Sequence, residues 1–332
     1  MPICRLYFRV RHDVRAEVGS PLITTFCERY LMKFSSLIAA TLLVASLVCT
    51  ANAQVPERLQ RNCITVRAQN SSGSGTFVKR GDDLFIWTAH HVIDGLRYVE
   101  SNPNGGTKKK IGYRDAELVT EIQFEGRTVG DTRLKCKVLI CSPKLDIAVL
   151  QVRGPASLLP DVDGIEFDLS GELVPIATEL YHCGSPSGQE MGHNSITDGI
   201  VSANGRMFDY TSIDLPYMQT SCSALPGSSG GIVATKAEGK YVGMLTLGIR
   251  GTDTFNYCVE ARRIVEWCDD NEIRFLVDPD APVLSDEDLL ELPIEDELRK
   301  EDNSKAAADA EDEGLYFPLF HFGQTEASCL IK

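Results

Sequence analysis

Apolar residues recur in short runs through the middle of this chain. Ile64 to Ala68, Leu84 to Thr88, Leu118 to Phe124, Lys135 to Ile140, Ile147 to Val152, Leu180 to Cys183, Gly231 to Ala234 and Tyr241 to Leu247 are β-rich, and Gly, Asn, Asp or Pro breaks separate them. That pattern predicts strands joined by turns, and so an all-β core. One segment has a different period: in Ala261 to Asp270, Ile264, Val265 and Cys268 fall at helical spacing, which predicts a single helix after the last strand. A further apolar run, Ser35 to Cys49, follows Met32-Lys33-Phe34 and precedes Ala51-Asn52-Ala53. A basic start, a short apolar centre and an A-x-A end predict an export signal over residues 32–53, cleaved before Gln54. The run is shorter than the roughly 20 residues of a membrane-spanning helix, so no stable membrane insertion is expected after cleavage. A secreted or periplasmic location follows. Residues 1–31 are charged and mixed, and are expected to be an extension ahead of a true start at Met32, the alternative being a long n-region or a signal anchor.

Charge changes the picture at one end only. The formal net charge is −14, and residues 278–313 hold 15 acidic and three basic side chains. With Pro279, Pro282 and Pro293 in it, the stretch 278–332 is expected to be a solvated, disordered acidic tail. The apolar stretch Leu315 to Phe322 beyond it offers the alternative of intramolecular docking. Nucleic acid is excluded as a partner, because phosphate binding needs a basic footprint.

The chemistry is carried by three segments. Pro226-Gly227-Ser228-Ser229-Gly230-Gly231 sets a serine in a glycine-rich turn; Thr88-Ala89-His90-His91 and Asp146-Ile147-Ala148-Val149 lie upstream, so His91, Asp146 and Ser229 follow one another at spacings of 55 and 83 residues. Each feature alone has a plain reading as a loop, a strand start or a structural histidine. Together, in the order His, Asp, Ser, they match the triad order of the chymotrypsin-type double barrel. A serine hydroxyl is a weak nucleophile that needs an imidazole to take its proton, and the imidazole needs a carboxylate to fix its tautomer. Gly227 lets the backbone turn so that its own N–H and that of Ser229 can face a developing oxyanion.

Four more segments carry a family resemblance across about residues 62 to 265: Gly75-Thr76-Phe77-Val78, Cys183-Gly184-Ser185-Pro186-Ser187-Gly188, Thr197-Asp198-Gly199-Ile200-Val201-Ser202-Ala203, and Gln219-Thr220 leading into the serine turn. The chain resembles a trypsin-like serine protease of the HtrA type. The resemblance implies two six-stranded antiparallel β-barrels, about residues 60–155 and 170–260 of a domain spanning 60–272, with a C-terminal helix. It implies a serine endopeptidase acting on protein or peptide substrates. It selects His91 as the base, at the fourth position of Thr-Ala-x-His, with His90 a neighbour. It places Ser223 at the base of the substrate pocket and Thr246 and Gly248 on its wall, so that medium or large uncharged P1 side chains are expected. The facing pocket walls also suggest a disulfide between Cys222 and Cys258. A PDZ domain, usual in HtrA proteins, is not expected in the acidic segment of roughly sixty residues that follows the domain.

Two other functional classes bear on the same residues. Gly227-Ser228-Ser229-Gly230-Gly231 also satisfies Gly-x-Ser-x-Gly, the nucleophile turn of α/β-hydrolase esterases, but that fold needs a helix after the serine and a later histidine, for which only His321 is available. A catalytically silent binding module on the same fold is the other alternative. Eight cysteines follow Ala53, an even number that suggests disulfides in an exported chain without fixing their connectivity. Cys136 and Cys141, five apart in one strand, are expected on opposite faces. His182-Cys183 and His193 lack the paired spacing of a zinc site, so no metal and no cofactor is implied.

Overall fold

This computed structural model describes residues 54–292, apart from 101–109, 126, 155–158, 160–161, 187–192, 209–214 and 250. The leading extension, the export signal, the tail beyond residue 292 with its apolar stretch, and His321 lie outside the described residues.

After helix α1 (Val55–Asn62), six strands close the first barrel: β1 (Cys63–Ala68), β2 (Ser71–Arg80), β3 (Asp83–Ala89), and, beyond the small hairpin of β4 (Arg97–Glu100) and β5 (Lys110–Tyr113), β6 (Ala116–Phe124), β7 (Arg127–Ser142) and β8 (Ile147–Arg153). Their order is β1-β2-β3-β8-β7-β6, and β1 pairs with β6 to complete the closure. The second barrel is built from β9 (Glu179–Gly184), β10 (Ser195–Arg206), β11 (Tyr217–Thr220), β12 (Ile232–Thr235), β13 (Tyr241–Gly248) and β14 (Asn256–Glu260), in the order β10-β11-β14-β13-β12-β9. Every pairing within both barrels is antiparallel. The all-β double barrel expected from the resemblance is the fold observed. The esterase alternative fails here, because Ser229 is followed by strand β12 where that fold requires a helix.

The apolar runs that mark β3 and β8 lack alternation because both faces of these strands are covered. One face fills the barrel. In β3, which runs directly into the single-turn helix α2 (His90–Ile93), the other face meets the segment after β14, which opens with helix α3 (Ala261–Asp270). Trp87 of β3 packs edge-on against Trp267 of α3 at 6.1 Å and donates its indole N–H to the Leu276 carbonyl, while Phe85 meets Phe275 at 5.7 Å. Chain that leaves the second barrel therefore closes over the first. Burying each of these rings contributes roughly 1.5–3 kcal/mol.

Two expectations are corrected. Acidic sequence from residue 278 was expected to be disordered, yet Asp286–Glu291 forms helix α4. Ser285 caps it by accepting the Asp288 N–H, three acidic residues occupy its first turn where the helix dipole favours them, and Leu289 is buried. Cys136 and Cys141 are both buried in the core, because a bulge between Val138 and Ile140 breaks the alternation of β7.

Candidate active site

Strand β3 ends at Ala89, and the chain turns at once into α2, which carries His90 and His91. Asp146 stands at the head of β8 with φ of 54°, a left-handed conformation that aspartate tolerates better than most residues. This turn lets one residue meet α2 three times: its carbonyl accepts the His90 N–H at 3.0 Å, Oδ1 accepts the His91 N–H at 2.9 Å, and Oδ2 lies 2.7 Å from His91 Nδ1. With Nδ1 carrying its proton toward the carboxylate, Nε2 is left as the basic nitrogen. His90 points elsewhere, its Nε2 lying 2.8 Å from the Tyr113 hydroxyl. Thr246 of β13 donates a short hydrogen bond from its hydroxyl to Asp146 Oδ2. Burial alone would raise the Asp146 pKa, but the charge of His91 and hydrogen bonds from His91 and Thr246 outweigh it and hold the carboxyl below its ordinary range.

Ser229 sits in a turn held by bonds within it and to neighbouring strands. Ser228 N–H donates to the Leu225 carbonyl at 3.0 Å, Gly231 N–H to Ser228 at 2.9 Å, and Gly230 N–H to Leu245 at 2.8 Å. Gly227 has φ of 98° and Gly230 of 86°, conformations that require glycine, and a Cβ on Gly230 would also overlap the Ser74 carbonyl and Thr88 Oγ1. Among the described residues, the N–H groups of Gly227 and Ser229 donate to nothing. They are the two donors expected for an oxyanion. The Ser229 hydroxyl lies 3.5 Å from the Thr246 carbonyl, so Thr246 touches Ser229 through its main chain and Asp146 through its side chain. The serine turn also lies directly on the strand that leads to the histidines, since a Cβ on Gly230 would come within 3.0 Å of Ala89 N.

The pocket residues fall on two facing segments. Ser223 donates its hydroxyl to Asp253 Oδ2 at 2.8 Å, Ala224 N–H donates to the Asp253 carbonyl at 2.8 Å, and Asn256 Nδ2 bridges to the Cys222 carbonyl at 2.8 Å. A Cβ on Gly248 would come 2.8 Å from Asn256 Oδ1, so the absence of a side chain there makes room for Asn256. Thr246 was expected on the pocket wall, but its hydroxyl is turned to Asp146. Asp253 was not singled out from sequence at all; a lone Asp in a loop among Thr and Gly carries no signal of its own.

Cys222 and Cys258 share one core cluster of the second barrel, yet both are free thiols in this structure, as are the other five described cysteines. The expected bridge is not formed here. Both pack as small apolar groups among Leu180, Met218 and Leu245, and burial pushes the Cys222 thiol up to about 11. Among the described residues no three His, Cys, Asp or Glu side chains gather as a metal site. His182 Nδ1 lies 3.0 Å from the Ile232 carbonyl, and His193 Nδ1 lies 2.8 Å from the Thr65 hydroxyl.

Comparison with known proteins agrees with this geometry. A family model described as a trypsin-like peptidase domain matches residues 73–244. The chain is 25% identical over 197 residues to the proteins named Serine protease Do-like HtrA of Lactococcus lactis subsp. cremoris and of Lactococcus lactis subsp. lactis. Each match takes in 58% of this chain and 40% of the relative, so the chain spans less than half the length of these curated relatives. Among solved structures, the HtrA-type protease AlgW, in a variant with a tripeptide, is similar in fold with a TM-score of 0.50, at 16% identity over 67% of this chain and 63% of that one.

Proposed function

Since this chain belongs to the trypsin-like peptidase domain family, we propose that it is an exported serine endopeptidase and that Ser229, His91 and Asp146 perform the reaction. The observation that carries the reading is the continuous connection from Asp146 to the His91 ring on one side and through Thr246 to Ser229 on the other. Ser229 Oγ attacks the scissile carbonyl while His91 Nε2 takes its proton, and Asp146 stabilises the resulting imidazolium. The tetrahedral oxyanion is met by the N–H groups of Gly227 and Ser229, each worth roughly 3–4 kcal/mol in such sites. Collapse breaks the C–N bond as His91 returns the proton to the leaving amine, and leaves an acyl-enzyme. Water, deprotonated by the same histidine, then hydrolyses the ester and restores Ser229.

Substrates on this reading are proteins or peptides. Ser223 supplies no charge of its own, so medium or large uncharged P1 side chains are preferred. The Asp253 carboxylate held on the Ser223 hydroxyl lets Lys and Arg enter as well. A peptide-library digest tests both statements. Uncharged P1 sites should dominate, Asp253→Asn should reduce cleavage after Lys and Arg by about tenfold in line with the loss of one charge-assisted contact, and Ser229→Ala should abolish all cleavage. Cleavage confined to Lys and Arg sites would contradict the pocket assignment. The export signal over residues 32–53 and a secreted or periplasmic location complete the proposal.

A further inference from the structure

We propose that Ser74 is a positioning residue for the oxyanion donors, holding the serine turn in its reactive shape and tying it to the strand that carries the base. This rests on the reading of Ser229 as nucleophile given above.

Ser74 lies in β2 between Gly73 and Gly75, fully buried, and every one of its polar groups is used. Its N–H donates to the Ser229 carbonyl at 2.7 Å and its hydroxyl to the Gly227 carbonyl at 2.8 Å. The hydroxyl oxygen in turn accepts the Ser185 N–H at 2.8 Å, and the Ser74 carbonyl accepts the Thr88 hydroxyl at 2.7 Å. Four segments thus converge on one residue: the first-barrel hairpin, the strand that runs into His91, the serine turn, and the Gly184-Ser185-Pro186 turn of the second barrel.

Peptide planarity turns these contacts into control of the donors. In a trans peptide the carbonyl of one residue points opposite to the N–H of the next. The Ser228 carbonyl is fixed by the Gly231 N–H, so the Ser229 N–H in the same plane is aimed outward, and the flanking Gly227 and Ser229 carbonyls are both drawn onto Ser74. Gly227 has a positive φ that only glycine holds readily, and among the described residues its carbonyl has no partner other than the Ser74 hydroxyl. The Gly227–Ser228 peptide is thus held at both ends, its carbonyl by Ser74 and its N–H by the Leu225 carbonyl; without the hydroxyl one end is released, and the Gly227 dihedrals that aim the Gly227 N–H are fixed less firmly. The loss would appear in the transition state, where the oxyanion exists, and not in ground-state binding.

The test uses the full chain with Ser74→Ala, Ser74→Cys, which keeps a side chain of similar shape with a weak donor, and Asn62→Ala as a control. Asn62 is a buried side chain bonded to Arg58, Asp163 and Gly164, away from the serine turn. In both Ser74 variants kcat on a peptide substrate should fall about 10- to 100-fold, somewhat less than outright removal of a donor. KM should stay within about twofold, and labelling by a fluorophosphonate should slow by the same factor as kcat. Asn62→Ala should lower the melting temperature and leave kcat alone. Hydrogen exchange over residues 226–231 should quicken in the Ser74 variants and not in the control, a readout that needs no catalysis. Unchanged kcat with a lowered melting temperature, a change in KM alone, or unaltered exchange in the serine turn would overturn the assignment. Failure of the wild-type chain to label would instead strike the proposed function, while the exchange comparison would still decide the role of Ser74.

Discussion

Asp146 concentrates most of the site's electrostatics in one buried carboxylate. Its left-handed turn presents both oxygens to His91, and Thr246 reaches it from 100 residues away. Removing that hydroxyl with Thr246→Val leaves the carboxylate one donor short inside the protein. We expect a loss of about 1–3 kcal/mol of stability and a roughly tenfold fall in kcat with little change in KM, measured by denaturant unfolding and peptide kinetics; a wild-type kcat would show that the threonine serves packing alone. The sequence displays His91, Asp146 and Ser229 because each sits in a motif with local character. It hides Thr246 as an Asp146 partner, Ser74 as a clasp and Asp253 as a pocket carboxylate, since these roles exist only when segments distant in the chain approach.

Elements were legible where both faces of a strand are buried and obscured where glycine and serine replace bulky residues. β3, β8 and β13 read directly from apolar runs. β2 does not: Ser71–Arg80 reads Ser-Ser-Gly-Ser-Gly-Thr-Phe-Val-Lys-Arg, low in β propensity over its first half, yet it pairs on both sides with β1 and β3. The small residues are there because the serine turn and α2 approach so closely: a Cβ on Gly73 would stand 2.5 Å from Val92 Cγ2 and 2.9 Å from the Ser229 carbonyl. What makes β2 hard to recognise is thus what makes it useful. The β7 bulge that places Cys136 and Cys141 together in the core is likewise a pairing irregularity without a local signature.

At the scale of the whole molecule, Ser74 of the first barrel is bonded to Gly227, Ser229 and Ser185 of the second, and within the second barrel the buried His182 of β9 contributes a pH dependence. It lies beneath the serine turn, where a Cβ on Gly231 would come 2.7 Å from its ring, and burial pushes its pKa down to about 4 against an ordinary value of 6.5. Between these values the unfolded chain takes up a proton that the folded chain refuses, so stability is full above about pH 6.5 and is lost as pH falls toward 4, by about 3 kcal/mol from this residue. Urea unfolding at pH 7, 5.5 and 4 should show that loss, and His182→Gln should flatten it; parallel curves for the two chains would mean another group titrates.

The most direct test of the central claim is treatment of the chain with a fluorophosphonate probe beside Ser229→Ala, followed by mass mapping of the labelled residue. Covalent labelling of Ser229 in the parent, absent from the variant, is the predicted result and requires nucleophile, base and oxyanion donors to act together. An unlabelled parent, or a label on any other residue, would contradict the account of Ser229, His91 and Asp146 as a working triad.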